Sequence, residues 1–126
     1  MAAMTQSLED YIEAIYVLID DGGAACVRDV AKTLSVKMPS VVKAIRELKA
    51  KGLVTQEPYA EIELTPKGRR LAKSILDRHT LLRAFLVKLG VPEKTADIDA
   101  CRMEHILSAS TMDRIRDFTK GSEEKR

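Results

Sequence analysis

The feature that most constrains this chain lies between Val27 and Thr65, where two short helical patterns are followed by two alternating ones. Val27 to Leu34 has helical spacing, begins near Arg28, and breaks at Ser35-Val36-Lys37-Met38. Pro39 follows, and its fixed φ suits a first helical position. The helix it opens runs to Lys51, with Gly52 where a C-cap would sit. It sets Val41, Val42, Ile45 and Leu48 on one side and turns Ser40, Lys43 and Arg46 or Lys49 toward solvent. Leu53 to Glu57 and Glu61 to Thr65 then alternate around Pro58-Tyr59-Ala60, which predicts a β-ribbon. Helix, helix and hairpin within about 40 residues is the order of a winged helix-turn-helix, whose second helix enters the major groove of DNA.

Charge placement agrees with that order. Residues 1–21 carry five acids and no base, whereas Val27 to Lys51 holds seven bases against two acids, although the whole chain is only +2. The basic stretch is the expected polyanion contact. Lys37 and Lys43 are the groove-side candidates, Ser40 suits a phosphate or base edge, and Arg28 and Pro39 complete the expected DNA-binding set. Lys32, Lys49 and Lys67 suit phosphates. A generic three-helix bundle with a solvated basic face shares the helical spacing, but the ribbon and the segregated charge favour DNA.

With 126 residues, 45% hydrophobic content and no Trp, the chain can build one compact core with an extension. Cys26 and Cys101 lie far apart and no apolar leader precedes them, so a secreted disulfide scaffold is not expected and the protein should be cytoplasmic. No run approaches the roughly 18 apolar residues that would cross a bilayer, so no membrane partner is expected. A metal-dependent hydrolase is disfavoured by the missing His-Glu-x-x-His pattern, Gly-rich phosphate loop and nucleophile-base pair, so the chain does not read as an enzyme.

Helical spacing also flanks the motif. Ser7 to Ile19 carries an apolar stripe of Leu8, Tyr11, Ile12, Ile15 and Ile19, ended by Asp20-Asp21-Gly22-Gly23, with Asp10 and Glu13 on the opposite side. Thr65 to about Leu89 is a long helix through Leu71, Ile75, Leu82 and Leu86, with His79 at the edge of the stripe. A helix from Val91-Pro92-Glu93 to about Leu107 and a short one from Thr111 to Phe118 follow. The expected fold is therefore mainly α: a winged-helix domain over 1–70, a helical domain over 71–120, and a charged tail over 121–126.

Within the helix predicted to reach Leu107, Cys101, Glu104 and His105 are three and four residues apart, so all can aim at one point. Thiolate, imidazole and carboxylate together suit a first-row transition ion and suit magnesium or calcium poorly. Taken singly, Glu104 and Asp10 are ordinary surface carboxylates, His105 a solvated ring, and Cys101 a small buried apolar group. Together with His79 and the Asp10/Glu13 face, they form a candidate metal set. Cys26 has no such neighbours and reads as core.

The stretches Glu9 to Tyr16, Arg28 to Leu53, Leu64 to Gly68, Arg78 to Leu82 and Asp99 to Ser108 resemble the metal-dependent repressors typified by the diphtheria toxin repressor and the manganese transport regulator. The resemblance covers about Ser7 to Phe118. It implies a homodimer with an N-terminal winged helix and an all-helical dimerisation domain, binding a palindromic double-stranded DNA operator and no small organic substrate. Asp10, Glu13, His79, Glu104 and His105 coincide with ligands of the manganese-type branch. Cys101 departs from it, since that branch has a glutamate able to bridge two ions there and the iron-type branch has cysteine. The iron-type branch in turn places methionine at Asp10 and lacks the acid at Glu13, and its second-site acid and histidine correspond to Arg83 and Asp97.

The set Asp10, Glu13, His79, Cys101, Glu104 and His105 is thus a hybrid. A thiolate shifts preference toward Fe(II), Co(II) or Zn(II), away from the oxygen-favouring Mn(II). The expected cofactor is Mn(II) or Fe(II), with Co(II), Ni(II) or Zn(II) able to bind in vitro and one or two ions per subunit both open. The sequence stops before the SH3-like third domain of iron-type members, so its architecture resembles the manganese type. The implied function is metal-activated repression of metal-homeostasis genes. A winged-helix regulator of the multiple-antibiotic-resistance type, without metal control, is the alternative.

Overall fold

The computed structural model of the chain describes residues 4–124, with side chains described through residue 121. It divides into two compact units, residues 1–73 and 74–126, the division falling within one continuous helix. The described residues form six helices and one two-stranded antiparallel sheet, joined by turns and loops. The fold is mainly helical with a small hairpin.

In the first unit, α1 (Gln6–Asp20), α2 (Val27–Leu34) and α3 (Met38–Ala50) pack on one another. Thr5 caps α1, its hydroxyl accepting from the Leu8 amide at 3.1 Å, so the helix starts one residue before the expected Ser7. Gly22, at φ 83, supplies the left-handed turn that follows α1. Ile12, Ile15, Val30, Val41, Leu48 and Ile62 are fully buried, each contributing about 1.5–3 kcal/mol of apolar burial.

The hairpin is shorter than its alternating pattern predicts. Only β1 (Val54–Thr55) and β2 (Glu63–Leu64) pair, Val54 opposite Leu64 and Thr55 opposite Glu63. The residues between take other partners: the Ile62 amide donates to the Ala25 carbonyl at 2.8 Å, and the Gln56 side-chain amide donates to the Ala60 carbonyl at 3.0 Å. Backbone groups so engaged cannot extend the ladder. Tyr59 at the tip has φ 61 and is fully exposed.

Thr65 joins the hairpin to α4 (Pro66–Lys88). Its hydroxyl donates to the Gly52 carbonyl at 2.7 Å and accepts from the Gly68 amide at 3.0 Å, so one side chain caps α4 and ties its start to the end of α3. Gly68 is buried against the Leu53 carbonyl, with no room for a Cβ.

In the second unit, the later part of α4 packs with α5 (Glu93–Met103) and α6 (Ala109–Glu124) around Leu82, Ala100 and Met112. Ala96 and Ala100 are fully buried on α5. Phe85 and Phe118 meet edge-to-face with centroids 5.9 Å apart, and Lys88 Nζ donates to the Thr119 carbonyl at 3.2 Å. Ser108 caps α6 by accepting from the Thr111 amide, so that helix begins before the expected Thr111 and runs past Phe118. Of the expected tail, residues 121–124 continue α6; residues 125 and 126, and all side chains from 122 onward, lie outside the described residues.

Candidate metal centre and nucleic-acid interface

The turn of the helix-turn-helix is made by Ser35, which ends α2 in the left-handed conformation (φ 55, ψ 44). The Val36 amide donates to the Ala31 carbonyl at 3.0 Å, and the chain leaves for α3 within three residues. Met38 is the first helical residue and Pro39 the second, one position later than the sequence suggests. Pro39 still costs no hydrogen bond, because first-turn amides have no helical partner. Cys26 is half-buried at the N-cap of α2 and its thiol donates to Asp29 Oδ2 at 2.8 Å, so the expected core role gives way to a place at the helix start.

Arg28, Lys37, Pro39, Ser40 and Lys43 are all exposed. Val42, expected on the apolar side with Val41, is 44% exposed, because Val41, Ala44, Ile45 and Leu48 already complete the buried stripe. With Met38, 49% exposed, it lies among Pro39, Lys43 and Arg46 on one open surface of α3. Met38 and Val42 were not among the DNA contacts expected from the sequence, yet they are four apart and flanked by bases. An exposed apolar pair on a basic groove-side helix suits thymine methyl groups.

The candidate metal ligands of the second unit gather at the end of α5. That helix was expected to run to Leu107, but it ends at Met103. The Glu104 amide donates to the Ala100 carbonyl at 3.0 Å, after which His105 donates to Arg102 and Ile106 to Met103 in tighter turns. Glu104 is therefore the C-cap and His105 lies in the turn beyond, so the expected single helix face holds only for Cys101 up to the cap. Arg78 holds this turn by donating to the Leu107 carbonyl.

The tightened turn brings Glu104 against two imidazoles. Its Oε2 is 3.2 Å from His79 Nδ1 and its Oε1 is 3.3 Å from His105 Nε2. The Glu104 side chain has no exposure and that of His105 only 2%. The surface readings of these two residues therefore fail. A carboxylate so buried is costly unless positive charge compensates it. His79, 19% exposed, directs Nε2 to Asp97 Oδ1 at 2.8 Å, while its Nδ1 is buried and makes no hydrogen bond. Cys101 is exposed one turn before Glu104, with its Sγ within 4.8 Å of a Glu104 carboxylate oxygen. Asp10 and Glu13 belong to the first unit, where both are half-buried on α1.

Glu104 is faced by two imidazoles and has a thiol within 4.8 Å of a carboxylate oxygen, and one buried ring nitrogen makes no hydrogen bond; these donor types fit a first-row divalent ion. Asp97 was read in the sequence only as the counterpart of an absent histidine. Its spacing, four before Cys101 and seven before Glu104, was the signal that it shares their side of α5.

A winged helix-turn-helix with an exposed basic recognition helix, followed in the chain by a helical unit bearing such donors, defines a metal-dependent DNA-binding regulator. Residues 3–62 match the iron-dependent repressor N-terminal DNA-binding domain, and residues 65–125 match the iron-dependent repressor metal-binding and dimerisation domain. The chain belongs to this family. It is a metal-dependent transcriptional repressor with a DNA-binding and a dimerisation domain, and the family's members are repressors rather than enzymes.

Among its relatives, the HTH-type transcriptional regulator MntR of Lysinibacillus sphaericus is 43% identical over 95% of this chain and 86% of that one. The manganese regulator SloR superposes with a TM-score of 0.81 at 30% identity, over 93% of this chain and 55% of its own. A manganese-dependent transcriptional repressor in complex with manganese gives 0.82 at 29%, over 90% and 52%. The chain thus spans about half the length of these solved structures. No helix among the described residues is long and apolar enough to cross a membrane.

Proposed function

We propose that this chain is a cytoplasmic homodimeric repressor that binds a palindromic operator when Mn(II) or Fe(II) is plentiful and so silences metal-uptake genes. The observation that carries the reading is the Glu104 carboxylate, fully buried between His79 Nδ1 and His105 Nε2. His79, Cys101, Glu104 and His105 would hold the ion, joined by Asp10 and Glu13 from α1. A bound divalent cation would add positive charge beside this buried carboxylate and the two imidazoles that face it. The thiol of Cys101 favours Fe(II), Co(II) or Zn(II), whereas the oxygen donors and the manganese regulators among the structural relatives favour Mn(II).

Ligands drawn from α1, α4 and the end of α5 would make the ion a cross-link between the reading and dimerisation domains. Such a ligand acts by population shift, with coupling typically of about 1–3 kcal/mol. Arg28, Lys37, Pro39, Ser40 and Lys43 would meet the operator, two recognition helices of a dimer being separated by about one DNA turn, roughly 34–36 Å. The apolar groove of Phe85, Leu89, Ile115 and Phe118, with Leu89 59% and Phe118 57% exposed, supports burial against a second copy.

The test is titration of the purified protein with Mn(II), Fe(II), Co(II) and Zn(II) while operator binding is followed by fluorescence anisotropy. Metal should raise DNA affinity severalfold or more, and the order of potency assigns the ion. DNA affinity indifferent to all four ions defeats the reading.

A further inference from the structure

Asp97 is an exposed residue in the middle of α5 that the ligand set does not use. Its Oδ1 lies 2.8 Å from His79 Nε2, and the opposite nitrogen of that ring faces Glu104. An ionised carboxylate can only accept, so the shared proton belongs to Nε2. A neutral ring with its proton on Nε2 has its lone pair on Nδ1, the buried nitrogen 3.2 Å from Glu104 Oε2. Arg83 stands behind this carboxylate: its Nε is 3.7 Å from the same Asp97 Oδ1, and its Nη2 is 3.9 Å from Glu93 Oε2. The guanidinium places a fixed positive charge on the outer side of His79.

We infer that Asp97 is the positioning residue of the metal centre: it locks the His79 proton on Nε2, presents Nδ1 as the donor, and is committed to this role by Arg83. The inference rests on the metal-centre reading under Proposed function. A carboxylate behind a ligating imidazole fixes its tautomer and orientation and raises its basicity. The alternative is that Asp97 and Arg83 form only a surface ion pair. Both side chains are substantially exposed, at 60% and 41%, so such a pair adds little to folding. The two roles therefore separate, one acting on the ion and the other on neither ion nor fold.

The arrangement also bears on how many ions bind. Where His79 could share its outer nitrogen with a second ion, Asp97 already receives that nitrogen's proton, and the Arg83 charge repels a cation. The outer side of the ring is closed to metal, and His79 serves one ion through Nδ1.

The test uses the full chain loaded with Zn(II), a diamagnetic probe, and labelled with ¹⁵N-histidine. With only two histidines, the long-range ¹H–¹⁵N spectrum contains two rings, and His79→Gln assigns them. The expected result is a His79 ring protonated at Nε2 with Nδ1 at a metal-bound shift. Asp97→Ala should weaken Zn(II) binding roughly tenfold in chelator competition. Asp97→Asn, whose carbonyl still accepts from Nε2, should keep the tautomer and fall between. The ion-free melting temperature should be the same in all three. A His79 proton on Nδ1 in the loaded protein overturns the inference, as does an Asp97→Ala protein that binds Zn(II) within twofold of the unmodified one, or one whose loss tracks a lowered ion-free melting temperature. If the unmodified chain takes up no Zn(II), the metal-centre reading falls and takes the inference with it.

Discussion

Glu104 Oε2 faces His79 Nδ1 across 3.2 Å, which joins the turn after α5 to the middle of α4. Replacing Glu104 by Ala removes the buried charge on which both imidazoles converge. Metal-stimulated DNA binding should be lost, with ion affinity at least tenfold lower, while weak salt-sensitive DNA binding persists. Anisotropy with and without Mn(II) or Co(II) reads this directly, and His105→Ala should behave alike.

Lys43 is exposed on α3 and distant in sequence from every candidate ligand. Lys43→Ala should weaken operator binding and, if it meets a phosphate, reduce the salt dependence of log K by about one contact's worth. Metal affinity measured by chelator competition should not move. A matching loss of metal affinity would contradict this division of labour.

Val41 and Val42 are neighbours with opposite fates, 0% and 44% exposed. Val41→Ala should destabilise the chain by about 1–3 kcal/mol in urea unfolding, from lost burial and a residual cavity. Val42→Ala should stay within about 0.5 kcal/mol of the unmodified protein. Its effect belongs in operator affinity, and deoxyuridine in place of thymine in the operator should lessen the difference between Val42 and Ala.

Gly68 allows α4 to begin directly against the Leu53 carbonyl, and a Cβ there would overlap that oxygen. Gly68→Ala must push the start of the helix away from the end of α3, at a cost of about 1–3 kcal/mol. Thermal unfolding should show the loss. An unchanged melting temperature would mean that the close approach is not kept in solution.

Phe118 is 57% exposed beside Phe85 and Leu89. If this groove is where two copies meet, Phe118→Asp should shift the protein from dimer to monomer in sedimentation at micromolar concentration. A dimer indifferent to the change would place the contact elsewhere.

The helix-turn-helix was legible in the sequence because its signals are local: the break before Pro39, the apolar stripe of α3, and Gly52 after its last turn. The hairpin's position was legible too, but its extent was not. Ile62 pairs with Ala25, some forty residues earlier, and no alternation within Glu61 to Thr65 reveals a partner so far away. Val42 was misplaced because the adjacent apolar residues Val41 and Val42 offered two neighbouring stripes, and only packing chooses between them. At the metal centre, residue types and spacing marked Cys101, Glu104 and His105. The end of α5 at Met103 was not visible, since Glu104-His105-Ile106-Leu107 has no glycine or proline to announce a stop. Asp97 was read only as the counterpart of an absent histidine for a related reason: its partner His79 sits on another helix, and the pairing appears only in three dimensions.

Tyr59 has one last consequence. The chain contains no tryptophan, Tyr11 is buried and Tyr16 half-buried, whereas the phenol of Tyr59 projects freely from the wing tip. Dissolved iodide will quench that ring ahead of the other two, so the wing carries its own optical marker. Whatever covers the tip will announce itself as protected ultraviolet emission, without a dye attached anywhere on the molecule.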